Sequence, residues 1–516
     1  MTVNTIIVIV AIILYMAMMI GMGFRFSKGN QTSSDYYLGG RQLGPFVTAM
    51  SAEASDMSAY LLMGIPGLAL MCGLAEASWT AIGLAIGTYL NWLFVSKRLR
   101  KYTEKIGAVT IPEFFSKRFD DKKNILSIIA SLVIIVFFIP YTASGFSACG
   151  KFFHSLFGMD YLTAVIICAA VIIIYCTLGG FLAASTTDFV QSIIMSLALI
   201  TVLGISEGII GGFHNIIDNA SQMDGYLNLF KGFSVETMTT GKYGPITIAS
   251  TLAWGLGYFG MPHILLRFMA IKDPKKLKLS RRIASVWVVI SMGVAVLIGV
   301  AGYSLMKTGV IGVNYETASA AESIIVDFSK FLSTRGWIPA FAAGIFLSGI
   351  LASTMSTADS QLIAASSSIT QDLLVNTFKV KLSEKQTLII ARVSVVIISI
   401  IAVFLARDPN GSVFYIVSFA WAGFGAAFGP VVLLSLFWRR ANKWGALAGM
   451  LAGGVMIFIW KFIIRVQFAG TVLDIYELLP AFITGLIAMV VVSLLTKAPA
   501  DDVTRTFDEV KQNLNA

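Results

Sequence analysis

Long apolar runs dominate the sequence and constrain its fold more than any other feature. Hydrophobic residues make up 57% of the 516 residues and charged residues only 13%, whereas soluble domains carry about 25% charged residues. The sequence therefore predicts an all-α polytopic membrane protein. Thirteen runs are long enough to cross roughly 30 Å of hydrocarbon as helices, near residues 4–24, 45–71, 74–96, 124–150, 160–181, 188–210, 245–269, 283–306, 337–371, 388–406, 413–437, 443–463 and 476–496.

The first apolar run, Met1–Phe24, is expected to be a membrane helix and not a cleaved signal peptide. Signal peptides begin with a basic region and have a short apolar stretch. Here the first basic residue, Arg25, follows the apolar run, which is about 20 residues long and sufficient for a span. The count of about 13 transmembrane helices therefore includes this segment.

The basic residues indicate the orientation of the chain. The net charge is +10, and most of the Lys and Arg residues lie in alternate connecting segments. Because basic residues favour cytoplasmic loops, this distribution predicts an N-terminus outside and a C-terminus in the cytoplasm. Anionic membrane lipid then accounts for the net charge, and no nucleic-acid partner is needed. The basic segments are 25–44, 97–123, 267–282, 372–387, 439–443 and the stretch after 496.

Two apolar runs carry helix-breaking residues at matching places. The second run contains "SDMSAYLLMGIPG" (55–67) and the seventh contains "AWGLGYFGMPH" (253–263). Backbone freed by Gly and Pro in mid-membrane is tolerated where it meets partners or lines a cavity. Since five runs separate the pair, runs 2–6 and 7–11 have opposite orientations, a pattern that points to a transporter binding site. The alternative is that the glycines serve close helix packing.

Two carboxylates stand in the first of these interrupted runs. A charge near the bilayer centre costs about 2.5–3.5 kcal/mol on insertion scales, so Asp56 is expected to face a wet cavity or a partner, or to be protonated. Glu53 lies one turn earlier, and we expect it to reach interfacial water near the cytoplasmic end. Asp56 is therefore the stronger functional candidate of the two.

The ninth run contains a stripe of hydroxyl side chains. Ser353, Ser356, Thr357 and Ser360 are spaced at i, i+3, i+4 and i+7, which places them on one helical face, with Asp359 beside it. Hydroxyls, carbonyls exposed by a broken helix and a carboxylate suit a hard monovalent cation, because such ions take oxygen ligands. The alternative is that these hydroxyls bond to carbonyls of their own helix or hold neighbouring helices together.

Three further features complete the set of candidates from the residues alone. Asp188 follows "GGFLAASTTD" at the start of the sixth run, where it either caps the helix or has a functional role. Trp254 and Tyr258 are four residues apart and are expected to share a face beside the second interruption, in position to stack on a substrate. The sequence contains no HExxH motif. We therefore do not expect an enzyme.

Several stretches resemble the sodium:solute symporter family, and within it the bacterial sodium/proline symporters. The resemblance covers essentially the whole chain and is carried by "LGGR" (38–41), "SAEASDMSAYLLMGIPG" (51–67), "TIPEFF" (110–115), "GGFLAASTTD" (179–188), "WGLGYFGMPHILLRFM" (254–269), "MSTADSQL" (355–362) and "AWAGFGAAFGP" (420–430). It implies a single transporter domain with a leucine-transporter-like core of five-plus-five inverted repeats and broken helices. The expected division is 1–44, a first repeat 45–210, a second repeat 245–437, and accessory helices with a cytoplasmic tail in 438–516.

The resemblance also implies roles for individual residues. Asp56 is implied to be the acidic residue needed for sodium coupling, and Arg41 to lie near the inner side of the pathway. The implied sodium site uses carbonyls of Ala54, Met57 and Ser353 and hydroxyls of Ser356 and Thr357. A possible second sodium site involves Asp188, Ser356, Asp359 and Ser360. The implied substrate-binding residues are Ser58, Ala59, Tyr141, Trp254, Tyr258 and Pro262.

The implied function is sodium-coupled uptake of L-proline across a bacterial cytoplasmic membrane by alternating access, with Na⁺ as coupling ion and no cofactor. Ala59, Met261 and Asp359 stand where the resemblance leads us to expect a glycine, a glutamine and a serine. A sodium- or proton-coupled symporter of another small amino acid or organic acid is therefore the alternative. A channel, and an intramembrane enzyme that pairs Asp56 with Asp188 or Asp359, are further alternatives.

Overall fold

The structure of the chain is a computed structural model that describes residues 3–27, 32–234 and 239–514. These residues are mostly helical. The helices are α1 (Val3–Ser27), α2 (Ser33–Leu38), α3 (Pro45–Asp56), α4 (Ile65–Cys72), α5 (Leu74–Leu90), α6 (Ser96–Lys105), α7 (Ile111–Arg118), α8 (Ile125–Phe157), α9 (Tyr161–Ile210), α10 (Phe213–Ser221), α11 (Pro245–Leu252), α12 (Pro262–Ala270), α13 (Leu277–Lys307), α14 (Ala318–Ala321), α15 (Ile324–Ser333), α16 (Trp337–Ser367), α17 (Glu384–Leu405), α18 (Val413–Phe437), α19 (Lys443–Ile459), α20 (Arg465–Gln467), α21 (Leu478–Leu495) and α22 (Asp501–Asn513).

Short turns of other helical types interrupt or extend several of these helices. The 3₁₀ turns are Gly39–Arg41, Ala253–Phe259 and Pro274–Lys276. The π turns are Tyr60–Gly64, Asn91–Val95, Ser368–Thr377 and Trp460–Ile464. One antiparallel hairpin, β1 (Lys231–Ser234) with β2 (Thr239–Lys242), is the only sheet among the described residues.

The predicted polytopic all-α class is confirmed, whereas the count of thirteen spans is not. In the described ranges, nine helices are long and apolar enough to cross a membrane, and the number is ten when the bent pair of Pro45–Asp56 and Tyr60–Cys72 is counted as one span. The three remaining runs are helical but shorter or broken. They correspond to 74–95, to Tyr161–Thr177 within α9, and to 245–270.

The helix breaks fall where the sequence analysis placed them. The axis bends by 59° between α3 and the segment that begins at Tyr60. In the seventh run, α11 ends at Leu252, and the chain continues as the 3₁₀ segment Ala253–Phe259. The α-helical conformation resumes at Pro262, the first residue of α12. Proline is suited to the first turn of a helix, where its missing N–H would have no intrahelical acceptor. The chain can therefore restart a helix at Pro262 directly after the break.

A glycine separates the fifth and sixth predicted runs inside α9. Gly180 adopts φ +65°, a left-handed conformation that disfavours other residues. The second half of α9 runs through Gly179–Ile210, so Asp188 lies two turns inside a helix. The prediction that the sixth span begins at Asp188 is therefore wrong, and of the two alternatives for this residue the capping role does not apply.

The core of the molecule lies where α3, α9 and α16 pack together, with α1 against both α9 and α16. The end of α3 contacts α16, and the broken 253–263 segment packs between α5 and α18. Gly255 approaches Gly83 and Gly87 of α5 so closely that a Cβ at any of the three would collide with backbone atoms. Small residues permit this close approach of helices. The two interrupted segments are thereby brought to the centre of the protein.

Candidate functional site

The two broken segments meet through a carboxylate and a phenol. Asp56 is the last residue of α3 and is fully buried. The Tyr258 hydroxyl donates a hydrogen bond to Oδ2 of Asp56, and the Tyr141 hydroxyl donates to the Asp56 backbone carbonyl at 3.4 Å. Oδ1 of Asp56 has no hydrogen-bond partner within the described ranges. The carboxylate therefore connects the two interrupted helices and retains the capacity to accept a further donor.

Four of the five implied sodium ligands, Ala54, Ser353, Ser356 and Thr357, are linked by hydrogen bonds near this carboxylate. The Ser356 hydroxyl of α16 donates to the Ala54 carbonyl of α3 at 2.8 Å, and the Thr357 hydroxyl donates to the Ser353 carbonyl at 3.1 Å. Met57 follows directly at the end of α3, where its N–H donates to the carbonyl of Glu53. The result is a group of neutral oxygen atoms at the carbonyl end of a helix, where the helix dipole favours a cation.

The hydroxyls of the α16 stripe divide between two kinds of contact. Ser353 donates to the carbonyl of Ile350 in its own helix at 2.8 Å, the alternative that the sequence left open for such residues. The Ser356 hydroxyl lies within hydrogen-bond distance of two carbonyls, that of Ala54 in α3 at 2.8 Å and that of Ser353 in its own helix at 3.2 Å. The carbonyl of Ser353, but not its hydroxyl, therefore belongs to the inter-helix oxygen group.

The implied substrate residues line the two breaks and are all buried. Ser58 and Ala59 occupy the break after α3, and Pro262 begins α12. The expectation that Trp254 and Tyr258 share a face is wrong, because Ala253–Phe259 is a 3₁₀ segment with about three residues per turn. An aromatic residue that the sequence analysis missed joins them instead.

Trp421 of α18 packs against both aromatic residues of the 3₁₀ segment. Its ring meets Tyr258 edge-on at 5.0 Å and lies 6.4 Å from Trp254, and its indole N–H donates to the Trp254 carbonyl at 2.7 Å. Trp254 also stacks on Tyr476, with ring centroids 5.1 Å apart. Beyond this stack, on the side of the β1–β2 hairpin, is a cavity of about 140 Å³. Trp254 lines that cavity, together with Phe414.

Glu53 lies deeper than expected. The prediction that it reaches interfacial water is wrong, because the residue is only 1% exposed. The Trp92 indole N–H donates to its carboxylate at 2.8 Å, and the Thr88 hydroxyl donates at 3.2 Å. Glu53 therefore holds α3 against α5 and the turn that follows it.

Two of the four residues of the implied second sodium site, Asp188 and Ser360, contact an arginine that the sequence analysis missed. Asp188 accepts hydrogen bonds from Ser51 at 2.7 Å and from Arg267 at 3.1 Å. The guanidinium also donates to Ser360, whose hydroxyl donates to Asp359 at 2.9 Å. Ser356 bonds elsewhere, to α3. An arginine inside the apolar stretch "HILLRFMA" was an available signal, because charges within a span are rare and face partners.

Arg41 holds the connections on the α7 side of the protein together. Its guanidinium donates to the carbonyls of Met269 at 2.6 Å and Ala108 at 2.7 Å, and the adjoining Leu43 pairs with the backbone of 270–272. Burial lowers the pKa of Arg41 to about 10, so this side chain stays cationic at physiological pH. The residue therefore joins the segment before α3, the α6–α7 loop and the end of α12.

Known proteins match almost the whole length of this chain. The family model described as "Sodium:solute symporter family" matches residues 36–453. The chain is 42% identical to the osmoregulated proline transporter OpuE of Bacillus subtilis, over 98% of each chain. It is also 42% identical to the sodium/proline symporter of Escherichia coli, with 97% of this chain and 95% of the relative covered.

Solved structures show the same fold at low sequence identity. A Na⁺-coupled sialic acid symporter in a substrate-bound, outward-open state matches with a TM-score of 0.77 and 19% identity, over 96% of this chain and 99% of that one. MhsT in complex with L-phenylalanine matches with a TM-score of 0.54 and 11% identity, over 88% and 98%. The leucine-transporter-like architecture expected from the sequence is therefore confirmed.

Proposed function

This chain belongs to the sodium:solute symporter family, and on that premise we propose that it couples sodium entry to the uptake of L-proline. Relatives named as proline transporters or sodium/proline symporters align with nearly its whole length. The observation in the structure that supports the proposal best is the Ser356 to Ala54 hydrogen bond of 2.8 Å. It brings two oxygen atoms of different helices to the distance at which one small cation can bind both.

In the proposed sodium site, the ion binds the carbonyl oxygens of Ala54, Met57 and Ser353 and the hydroxyls of Ser356 and Thr357. A cation that takes the oxygens of Ala54 and Ser356 replaces the hydrogen bond between them with two ion contacts. Hard cations favour such oxygen ligands. Sodium binding would thereby fix the end of α3 against α16.

Asp56 connects the proposed sodium site to the proposed substrate site. It follows Ala54 by two residues and accepts the hydrogen bond of Tyr258, so fixing α3 also fixes the 3₁₀ segment that carries Trp254 and Tyr258. The proline ring would pack against the aromatic rings, and its charged groups would meet the polar backbone of the break around Ser58. Linkage then requires that sodium and proline raise each other's affinity by the same factor.

The proposed orientation places the N-terminus outside, the β1–β2 hairpin outside and α7 in the cytoplasm. The contacts of Arg41 would then close the inner side of the pathway, while the cavity beside Trp254 and Tyr476 would open toward the exterior. Alternating access requires the inner and outer sides of the pathway to open and close in turn. The membrane potential adds about 2.3 kcal/mol of driving force per sodium charge per 100 mV.

The function is tested by uptake of labelled proline into proteoliposomes under an imposed sodium gradient and, separately, a proton gradient. We expect sodium-driven uptake, its loss in Asp56→Asn and its retention in Asp359→Ser. Uptake driven by protons in the original chain and abolished in Asp359→Ser would show proton coupling instead. Absence of proline uptake with either ion, in protein that is folded by size-exclusion chromatography, would contradict the proline assignment. Other small amino acids and organic acids would then be tested first.

A further inference from the structure

Arg267 is a buried charge with four hydrogen-bond partners among the described residues. It is 1% exposed, and its guanidinium donates to the Ser51 hydroxyl at 3.0 Å, the His263 carbonyl at 2.8 Å, Asp188 at 3.1 Å and the Ser360 hydroxyl. Its partners come from α3, α9, α12 and α16, the helices that surround the proposed sodium site. The guanidinium plane also lies 5.0 Å from the Phe181 ring.

The oxygens around Arg267 are those that a hard monovalent cation would take. They comprise the Asp188 carboxylate and the hydroxyls of Ser51 and Ser360, with Asp359 one hydrogen bond further away. Oδ1 of Asp188 and Oδ2 of Asp359 have no donor among the described residues. Carboxylates and hydroxyls without this guanidinium would form an oxygen-lined anionic site, and oxygen ligands favour Na⁺.

We propose that Arg267 is a fixed cation in the place of a second sodium ion, so that the chain carries one sodium ion per substrate molecule. This inference rests on the proposed function. The guanidinium neutralises carboxylate charge and ties four helices together, as a bound ion would, but it stays with the protein through the cycle. Each transport cycle therefore moves one sodium ion across the membrane, the ion bound at Ala54 and Ser356.

The competing explanation is that the Arg267–Asp188 pair only stabilises the helix packing. Buried ion pairs of this kind are destabilising to break, because the remaining charge is left without a partner. On that explanation, removal of the guanidinium lowers stability but creates no ion site. On the fixed-cation explanation, removal leaves Asp188 and Asp359 with the hydroxyls, and a second sodium ion takes the vacated position.

The two explanations are separated by the number of ²²Na⁺ ions bound at saturation to the purified, full-length protein. We expect one ion for the original chain, two for Arg267→Gln and one for Arg267→Lys, which keeps a tethered positive charge. The double variant Arg267→Gln with Asp188→Asn should return to one ion, because the anionic ligand is removed together with the guanidinium. In transport assays, the Hill coefficient for sodium should rise from about one toward two only in Arg267→Gln.

Asp188→Asn provides an arm that does not depend on how well Arg267→Gln folds. We expect it to keep one bound ion; loss of that ion would make Asp188 a sodium ligand and overturn the inference. Two ions in the original chain, or one ion in a monodisperse Arg267→Gln, would also overturn it. No sodium binding by the original chain, with or without proline, would instead contradict the proposed function itself.

Discussion

The hydroxyl of Ser356 donates to the carbonyl oxygen of Ala54 at 2.8 Å, and this bond joins α16 to the last turn of α3. Both residues are fully buried, and α3 ends two residues after Ala54, at Asp56. A cation at these oxygens would act on the helix break itself, because the carbonyls at the end of α3 have no further turn of helix to bond. The proposed coupling of ion and substrate follows from that position.

Removal of the Ser356 hydroxyl should weaken sodium binding specifically. In Ser356→Ala, we expect the sodium concentration for half-maximal uptake to rise by about tenfold or more, which corresponds to at least about 1.4 kcal/mol, with little change in the maximal rate. Ser353→Ala is the matched control, because that hydroxyl bonds only to Ile350 in its own helix. Equal effects of the two substitutions on sodium dependence would contradict the assignment.

Tyr258→Phe should weaken proline binding because it removes the hydroxyl that donates a hydrogen bond to the Asp56 carboxylate. Without this bond the 3₁₀ segment is no longer tied to the end of α3, so we expect the proline Kd in saturating sodium to rise by about fivefold or more, which corresponds to at least about 1 kcal/mol. The Kd is measured by titration calorimetry. Tyr141→Phe removes a longer bond of 3.4 Å to a backbone carbonyl and should have a smaller effect; the reverse order would contradict this role of Tyr258.

Gly257→Ala should destabilise the second helix break. A Cβ at this position would overlap the indole ring of Trp421, and overpacking of a buried site costs about 1–3 kcal/mol or more. The midpoint of thermal unfolding in detergent should fall, together with proline uptake. Gly293→Ala in α13, where a Cβ meets no atom within 4 Å, is expected to leave both unchanged. An unaltered midpoint in Gly257→Ala would show that Trp421 has room to move.

Arg41→Ala should loosen the closure on the α7 side. The substitution removes charge-assisted hydrogen bonds to the carbonyls of Met269 and Ala108, each worth about 1.5–3 kcal/mol. We expect faster sodium-independent efflux of preloaded proline from proteoliposomes and a lower accumulation ratio. Arg25→Ala, at an exposed position near the end of α1, is the control. Efflux that equals that of the control would remove Arg41 from the inner closure.

The sequence was sufficient for the architecture because the membrane imposes it. Uninterrupted apolar runs in hydrocarbon have to satisfy their backbone as helices, so runs such as 337–371 predicted α16 directly. The helix interruptions around Asp56 and Pro262 could also be predicted from the sequence, because Gly and Pro alter the local backbone conformation. Two of the three shorter runs fall short for the same local reason, since breaks at Gly180 and in 253–263 divide the helices. In the third, α5 ends at Leu90 and the chain continues as the π turn Asn91–Val95.

The site was less predictable wherever it depends on packing between distant segments. The partner of Asp188 is Arg267, and Glu53 is buried because Trp92 and Thr88 happen to pack over it. Nothing in the spacing of either carboxylate indicates those partners. The prediction that Trp254 and Tyr258 share a face was wrong for another reason. It assumed 3.6 residues per turn, whereas the segment is a 3₁₀ helix.

The central claim, that sodium and proline bind in a mutually dependent way through the end of α3, is tested most directly by a linkage measurement. The proline Kd of the purified protein is determined with and without saturating sodium, and the sodium Kd with and without saturating proline. The account predicts that both constants fall by the same factor, and that this factor approaches one in Asp56→Asn. A proline Kd in the original chain that does not depend on sodium would contradict the account.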